Sequence, residues 1–211
     1  MKLPLSALVL TLLGSLPTFG QEPIKASRLD ATQLPRTIDF QGKFKNALRW
    51  TDRAGEHIVV TAETGVYHNK KNTQDWSDAE LFAQHYLVKA GVARQIWEVY
   101  DFVKDCPVDV QATFIKNTLQ VTDLNKDGVA EVWVMYKTAC QGDVSPATMK
   151  IIMYQGAQKF AMRGENKVKL SEKEQYGGEY TFDKTFLAAP KEFRDFAVRL
   201  WTKNIMQTWD E

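Results

Sequence analysis

Residues 123–131 read D-L-N-K-D-G-V-A-E, between T-L-Q-V-T at 118–122 and V-W-V-M-Y at 132–136. Both flanks are short and rich in β-branched and aromatic residues, so the centre of the chain reads as strand, tight polar loop, strand. Within the loop, Asp123, Asn125, Asp127 and Glu131 place oxygen-bearing side chains at positions 1, 3, 5 and 9, and Gly128 stands at position 6, where the backbone must turn sharply. Hard cations collect about six to eight oxygens around one point, and alternate residues of a tight loop supply them, with the Val129 carbonyl as a natural further ligand. Asp123, Asn125, Asp127, Val129 and Glu131 are therefore the expected metal ligands, and Ca²⁺ in a structural role is the expected ion. The competing reading is a plain turn, since Asp, Asn and Gly bond their own backbone and tolerate left-handed dihedrals without any ion.

Working outward, the run Val129–Lys137 is apolar almost throughout, as a central strand covered on both faces would be. Further strands are expected at 42–50, 57–63, 94–103, 108–115, 118–122, 150–154 and 159–162, with turns at T-D-R-A-G, Lys116-Asn117 and Gln155-Gly156-Ala157. Leu81–Val88 reads as a strand with a helix over 78–89 as its rival, because Leu81, His85 and Val88 would share a helical face. His68–Trp76 is polar and turn-rich and reads as a surface loop. After Pro190, Phe193, Phe196, Ala197, Leu200 and Trp201 recur at helical spacing, which predicts an amphipathic helix over about 190–208 packed on the sheet. Mixed charge on its polar face argues against a membrane-surface helix. The expected fold class is mainly β (α+β): an antiparallel β-meander or sandwich with one C-terminal amphipathic helix.

The first twenty residues read as a secretory signal. Lys2 opens it, Leu5–Leu13 is a short apolar run, and Thr18-Phe19-Gly20 sets small residues before Gln21. A membrane anchor is the rival, but a spanning helix needs roughly twenty apolar residues. The domain reading is thus a signal at 1–20, an extended lead-in at 21–36, and a single β-rich domain over 37–211. Cleavage after Gly20 removes one charged residue and balances 26 basic against 26 acidic side chains. That balance gives no support to nucleic acid or an anionic membrane as partner, and no membrane span is expected after cleavage. The setting is periplasmic or secreted.

Export decides how the two cysteines are read. Cys106 and Cys140 are an even count in an oxidising compartment, so a disulfide is expected, with two free thiols as the alternative. A strictly sequential meander would put them at opposite ends of the sheet, so the pairing requires a bend near Pro107 or strands out of chain order.

Two resemblances follow from these residues. The helical calcium hand needs a bidentate Glu at position 12, where this chain has Val134. With strands on both sides and the last acidic ligand at position 9, the loop more closely resembles the calcium loops of integrin-type propeller blades. The loop occurs once, so the likeness covers it and its two strands only. The run from Trp97 to Gly164 resembles an uncharacterised family of exported bacterial proteins, some loosely labelled surface polysaccharide biosynthesis proteins. The matching stretches are Y-D-F-V-K-D-C-P-V-D, T-D-L-N-K-D-G-V-A-E, Y-K-T-A-C-Q-G-D-V-S-P and K-I-I-M-Y-Q-G. This resemblance implies an envelope or secreted setting and carries over no catalytic residue.

The chain has no H-E-x-x-H, G-x-S-x-G, G-x-x-x-x-G-K or G-x-G-x-x-G, and His57, His68 and His85 are scattered along it. Glu98, Asp101 and Asp143 are available for sugar hydrolysis, whose carboxylate pair is defined by spatial separation. Trp50, Tyr67, Trp76 and Tyr86 read either as core or as a sugar-binding aromatic surface. The expectation is a non-catalytic binding or accessory protein of the cell envelope, with an envelope protein or glycan as partner. A carbohydrate-active hydrolase and a purely structural envelope domain are the alternatives.

Overall fold

The computed structural model describes residues 23–68 and 75–207. The expected signal at 1–20, residues 69–74 of the expected surface loop, and residue 208 at the expected helix end lie outside the described residues.

In chain order the first sheet consists of β1 (Ser27–Arg28), β2 (Lys43–Asp52), β3 (Gly55–Glu63), β4 (Tyr67–His68), β5 (Ser77–Lys89) and β6 (Val92–Cys106). The second begins with β7 (Val110–Phe114), β8 (Gln120–Thr122), β9 (Glu131–Cys140), β10 (Thr148–Gln155) and β11 (Gln158–Glu165). A separate ribbon pairs β12 (Lys167–Lys169) with β13 (Gln175–Gly177), and β14 (Tyr180–Phe182) then joins the second sheet beside β11. Helices α1 (Lys184–Leu187) and α2 (Lys191–Asn204) close the chain. Every strand pairing in the two sheets is antiparallel. β5 lies between β3 and β6, while β9 lies between β10 on one side and both β7 and β8 on the other. The mainly β class with a C-terminal helix is therefore as the sequence predicts.

The two-residue period of β9 explains the layering. Val132, Val134 and Tyr136 point to the first sheet and pack with Leu48, Val59, Leu81 and Val99. Trp133 and Met135 point the other way, into a core shared with Met149, Ile151, Phe193 and Trp201. The strand is apolar in both registers because both faces are covered. On α2, Phe193, Ala197, Leu200 and Trp201 form the buried stripe; each large apolar side chain so buried contributes about 1.5–3 kcal/mol.

The helix ends at Asn204, short of the expected 208, because Met206 bridges to Lys167 and the Gln207 N–H donates to the Lys167 carbonyl. The lead-in is more than extended chain. It contains β1 and a 3-10 turn at Ala31–Gln33, and its Leu29 and Leu34, with Ile38 just beyond it, cover the outer face of the first sheet. The stretch with a helical rival is β5, where backbone pairing on both sides overrides the three-four spacing of its apolar residues.

Cys106 and Cys140 form a disulfide. Cys106 ends β6 in the first sheet, the chain turns at Pro107, and β7 then pairs Val110 with Cys140 in the second. Two layers resolve the difficulty that a single meander poses. Among the described residues no helix is long and apolar enough to cross a membrane.

Candidate functional site

The loop expected to hold a cation connects β8 to β9. Lys126 and Gly128 adopt left-handed dihedrals, with φ of 58° and 79°, and turn the chain back on itself. Asp123 Oδ2 accepts the Gly128 N–H, Asn125 Oδ1 accepts the Asp127 N–H, and Asp127 Oδ1 accepts the Val129 N–H. Glu131 is completely buried, its Oε2 accepting from the Thr122 hydroxyl at 2.7 Å and the Leu124 N–H at 2.9 Å. Burial pushes its carboxyl above the ordinary range against those two bonds, and the neighbouring Asp123 and Asp127 charges add to the rise.

The Gln155 side chain, which the sequence reading places only in a turn, stands at the focus of the loop. Its Nε2 lies 3.0 Å from Asp127 Oδ2, 3.3 Å from the Val129 carbonyl and 3.5 Å from Glu131 Oε1. Three of the five expected oxygens thus face one point, which a hydrogen-bond donor fills. Asp123 Oδ1 is buried and has no hydrogen-bond partner. Asn125 turns its amide nitrogen to Asp127 Oδ2 at 2.9 Å instead of its oxygen to the common point. Among the described residues no three His, Cys, Asp or Glu side chains come together closely enough to share a metal ion. The oxygens that meet at Gln155 are two carboxylates and one carbonyl, a chemistry that would suit a hard cation better than a soft one.

The loop is also fastened to the opposite sheet. The Arg53 N–H donates to the Gly128 carbonyl at 2.9 Å, and the Ala130 N–H donates to Asp52 Oδ2 at 3.1 Å. Asp52 begins a buried row that the sequence reading missed. Its Oδ1 lies 2.9 Å from His57 Nε2, and His57 Nδ1 lies 2.9 Å from His85 Nε2. Burial drives the Asp52 carboxyl up, but the Ala130 and Ala54 N–H groups and His57 together bring it below its usual value. Trp50 stacks on both imidazoles, and Trp97 packs on His85 and stacks on Tyr154 of the second sheet. With Asp52 ionised and His57 neutral, His57 Nε2–H donates to Asp52, His85 Nε2–H donates to His57, and His85 Nδ1 is left as an acceptor. Neither that nitrogen nor Trp97 Nε1 has a hydrogen-bond partner, and both residues line an enclosed cavity of about 40 Å³.

The other candidates lie apart. Glu98 accepts from Gln84, Asp101 accepts from Tyr136 and Lys150, and exposed Asp143 accepts the Ser145 N–H. His68 is exposed beside Asp75. Trp50 and Tyr86 belong to the core. Besides Tyr176 and Tyr180 near the C-terminus, the exposed aromatics are Tyr100 and Phe102, paired on β6, where Phe82 and Phe102 flank Tyr100 and the Lys104 ammonium lies over the Phe102 ring. Their faces are already engaged, which leaves little for a sugar ring to stack on. Compared with known proteins, the chain matches no family model, no curated protein and no solved structure.

Proposed function

We propose that the chain is an exported, non-catalytic binding or accessory protein of the bacterial cell envelope, in a surface-polysaccharide setting. In this reading the loop Asp123–Glu131 holds a structural Ca²⁺. The observation that carries the loop reading is the meeting of Asp127 Oδ2, Val129 O and Glu131 Oε1 around one Gln155 nitrogen. A completely buried carboxylate beside two further acids calls for a positive neighbour, and a hydrogen-bonded amide supplies only a partial one. A cation at that point would neutralise the cluster and draw in Asp123 Oδ1. Gln155 would give up the place and stay as a neighbour of the ion.

Because the same loop is bonded to Arg53 and Asp52 of the first sheet, the ion's role would be to hold the two layers in register. Calorimetric calcium titration of the chelator-treated protein tests this, with Asp127→Ala as control. One saturable site that is lost in the variant, with a melting temperature that rises with calcium, is the expected result. Absence of both heat and thermal shift at millimolar calcium would remove the ion from the account.

A further inference from the structure

The disulfide that joins the two sheets is lopsided. Cys106 closes β6 with 1% of its surface exposed, whereas Cys140 ends β9 as an exposed residue. β9 is buried from Glu131 to Thr138 and opens through Ala139 to Cys140, so the bridge meets solvent at its β9 end. Exposed residues 107–109 and 142–145 follow the two cysteines in the chain. On the buried side the backbone is tied down, with Cys106 opposite Ser77 of β5 and the preceding Asp105 N–H donating to Asp78 Oδ1 at 2.8 Å. Cys106 Sγ lies 3.4 Å from the Val108 carbonyl oxygen and 3.6 Å from that of Asp109. A bridged sulfur has no proton to offer them; a thiol in the same place has one.

Disulfides exchange by attack of a thiolate on one of the two sulfurs, and access decides which one is struck. Packing selects the product in the same sense. A group attached at Cys140 stands in solvent, whereas one attached at Cys106 must displace its neighbours. We infer that Cys140 is a modification site for an external small thiol. The incoming thiolate forms a bond to Cys140 Sγ, the bond between Cys106 and Cys140 breaks, and its electron pair leaves on the Cys106 sulfur. That sulfur takes a proton from water and turns it to the Val108 and Asp109 carbonyls. One thiol is consumed and one is formed, so no oxidant or reductant enters. Burial disfavours the departing thiolate and makes the step slow. Run backwards, Cys106 attacks the mixed disulfide at Cys140, expels the small thiol and restores the bridge. The inference rests on the disulfide and its surroundings, independently of the cation loop.

The probe is 2-mercaptoethanol, added to the folded, oxidised protein without denaturant. Samples are quenched in acid, alkylated and mapped by peptide mass spectrometry. The mixed disulfide should fall on Cys140 in at least about tenfold excess over Cys106, with the alkyl label on Cys106. In urea above the unfolding midpoint, where both sulfurs are in water, the preference should vanish. Amide shifts in the folded adduct should centre on residues 106–110 and 139–142, with the protection of β5, β6, β9 and β10 retained. Equal distribution, or an excess on Cys106, in the folded protein would overturn the assignment. Exchange no faster than global unfolding would overturn it as well, because neither sulfur would then be reached in the native fold.

Discussion

His85 sits where an imidazole keeps its neutral form. Burial, then the charge of His57, push its pKa down from 6.5 to about 3, against the weaker pull of Asp52. Below pH 6.5 the unfolded chain takes up a proton that the folded chain refuses. His85's contribution is therefore fully present above pH 6.5 and is lost as the pH falls towards 3, at up to about 1.4 kcal/mol per pH unit. Urea unfolding at pH 6.5 and pH 4.5 should show an acid loss that is smaller by about 2–3 kcal/mol in His85→Gln than in the parent. An identical loss in both would contradict the assignment. At this scale the sequence was legible only where partners are close in the chain. The alternating Asp123, Asn125 and Asp127, which bond the backbone of their own loop, are visible in a one-dimensional reading. His57 and His85, 28 positions apart, are neighbours only because β3 pairs Val59 with His85 and places His57 one diagonal step away. Gln155 escaped for the same reason, reaching the loop because β10 sets it opposite Glu131.

At the scale of elements, length decided what could be foreseen. β9 and α2 repeat their pattern often enough to declare themselves, whereas β1, β14 and the β12–β13 ribbon have two or three residues each, too few for any period to register. β14 exists because the chain comes very close to β11 at Gly164. A methyl group there would collide with the Glu179 carbonyl oxygen and the Tyr180 backbone. Gly164→Ala is expected to cost about 1–3 kcal/mol or more, read as a lower urea midpoint together with faster amide exchange at Tyr180–Phe182. The disulfide was foreseen from residue count and an expected export, together with the bend near Pro107 that it requires; that this bend carries the chain from one layer to the other was not. Closing a loop of sequence separation 34 should stabilise by about 3–4 kcal/mol on the chain-entropy account. The Cys106→Ala/Cys140→Ala double variant should lose that amount in urea, and a loss below about 1 kcal/mol would place the constraint elsewhere.

The whole molecule is a stack: lead-in, first sheet, second sheet, C-terminal helix. The second sheet is covered on both faces, and the first on its inner face and, around Ala47, Ile58, Val60 and Tyr86, on its outer face, so loosening one layer exposes the next, and unfolding should be a single cooperative step. Phe193→Ala, which empties a completely buried site between α2 and the second sheet, should cost about 3–5 kcal/mol. It should also move the near-ultraviolet and far-ultraviolet transitions together. Transitions that separate would mean the helix layer melts alone. The mainly β class and the terminal helix were legible beforehand, with a two-layered sandwich as one of the two expected forms; which strands make each layer was not, since periodicity says which face is apolar but not what covers it. Among the described residues the strands of each sheet come from one continuous part of the chain, and the crossing runs through exposed residues 107–109. A protease nick at that crossing would sever the backbone yet leave two self-paired halves tethered by sulfur between Cys106 and Cys140, so the polypeptide is already laid out for expression as two separate pieces that rejoin.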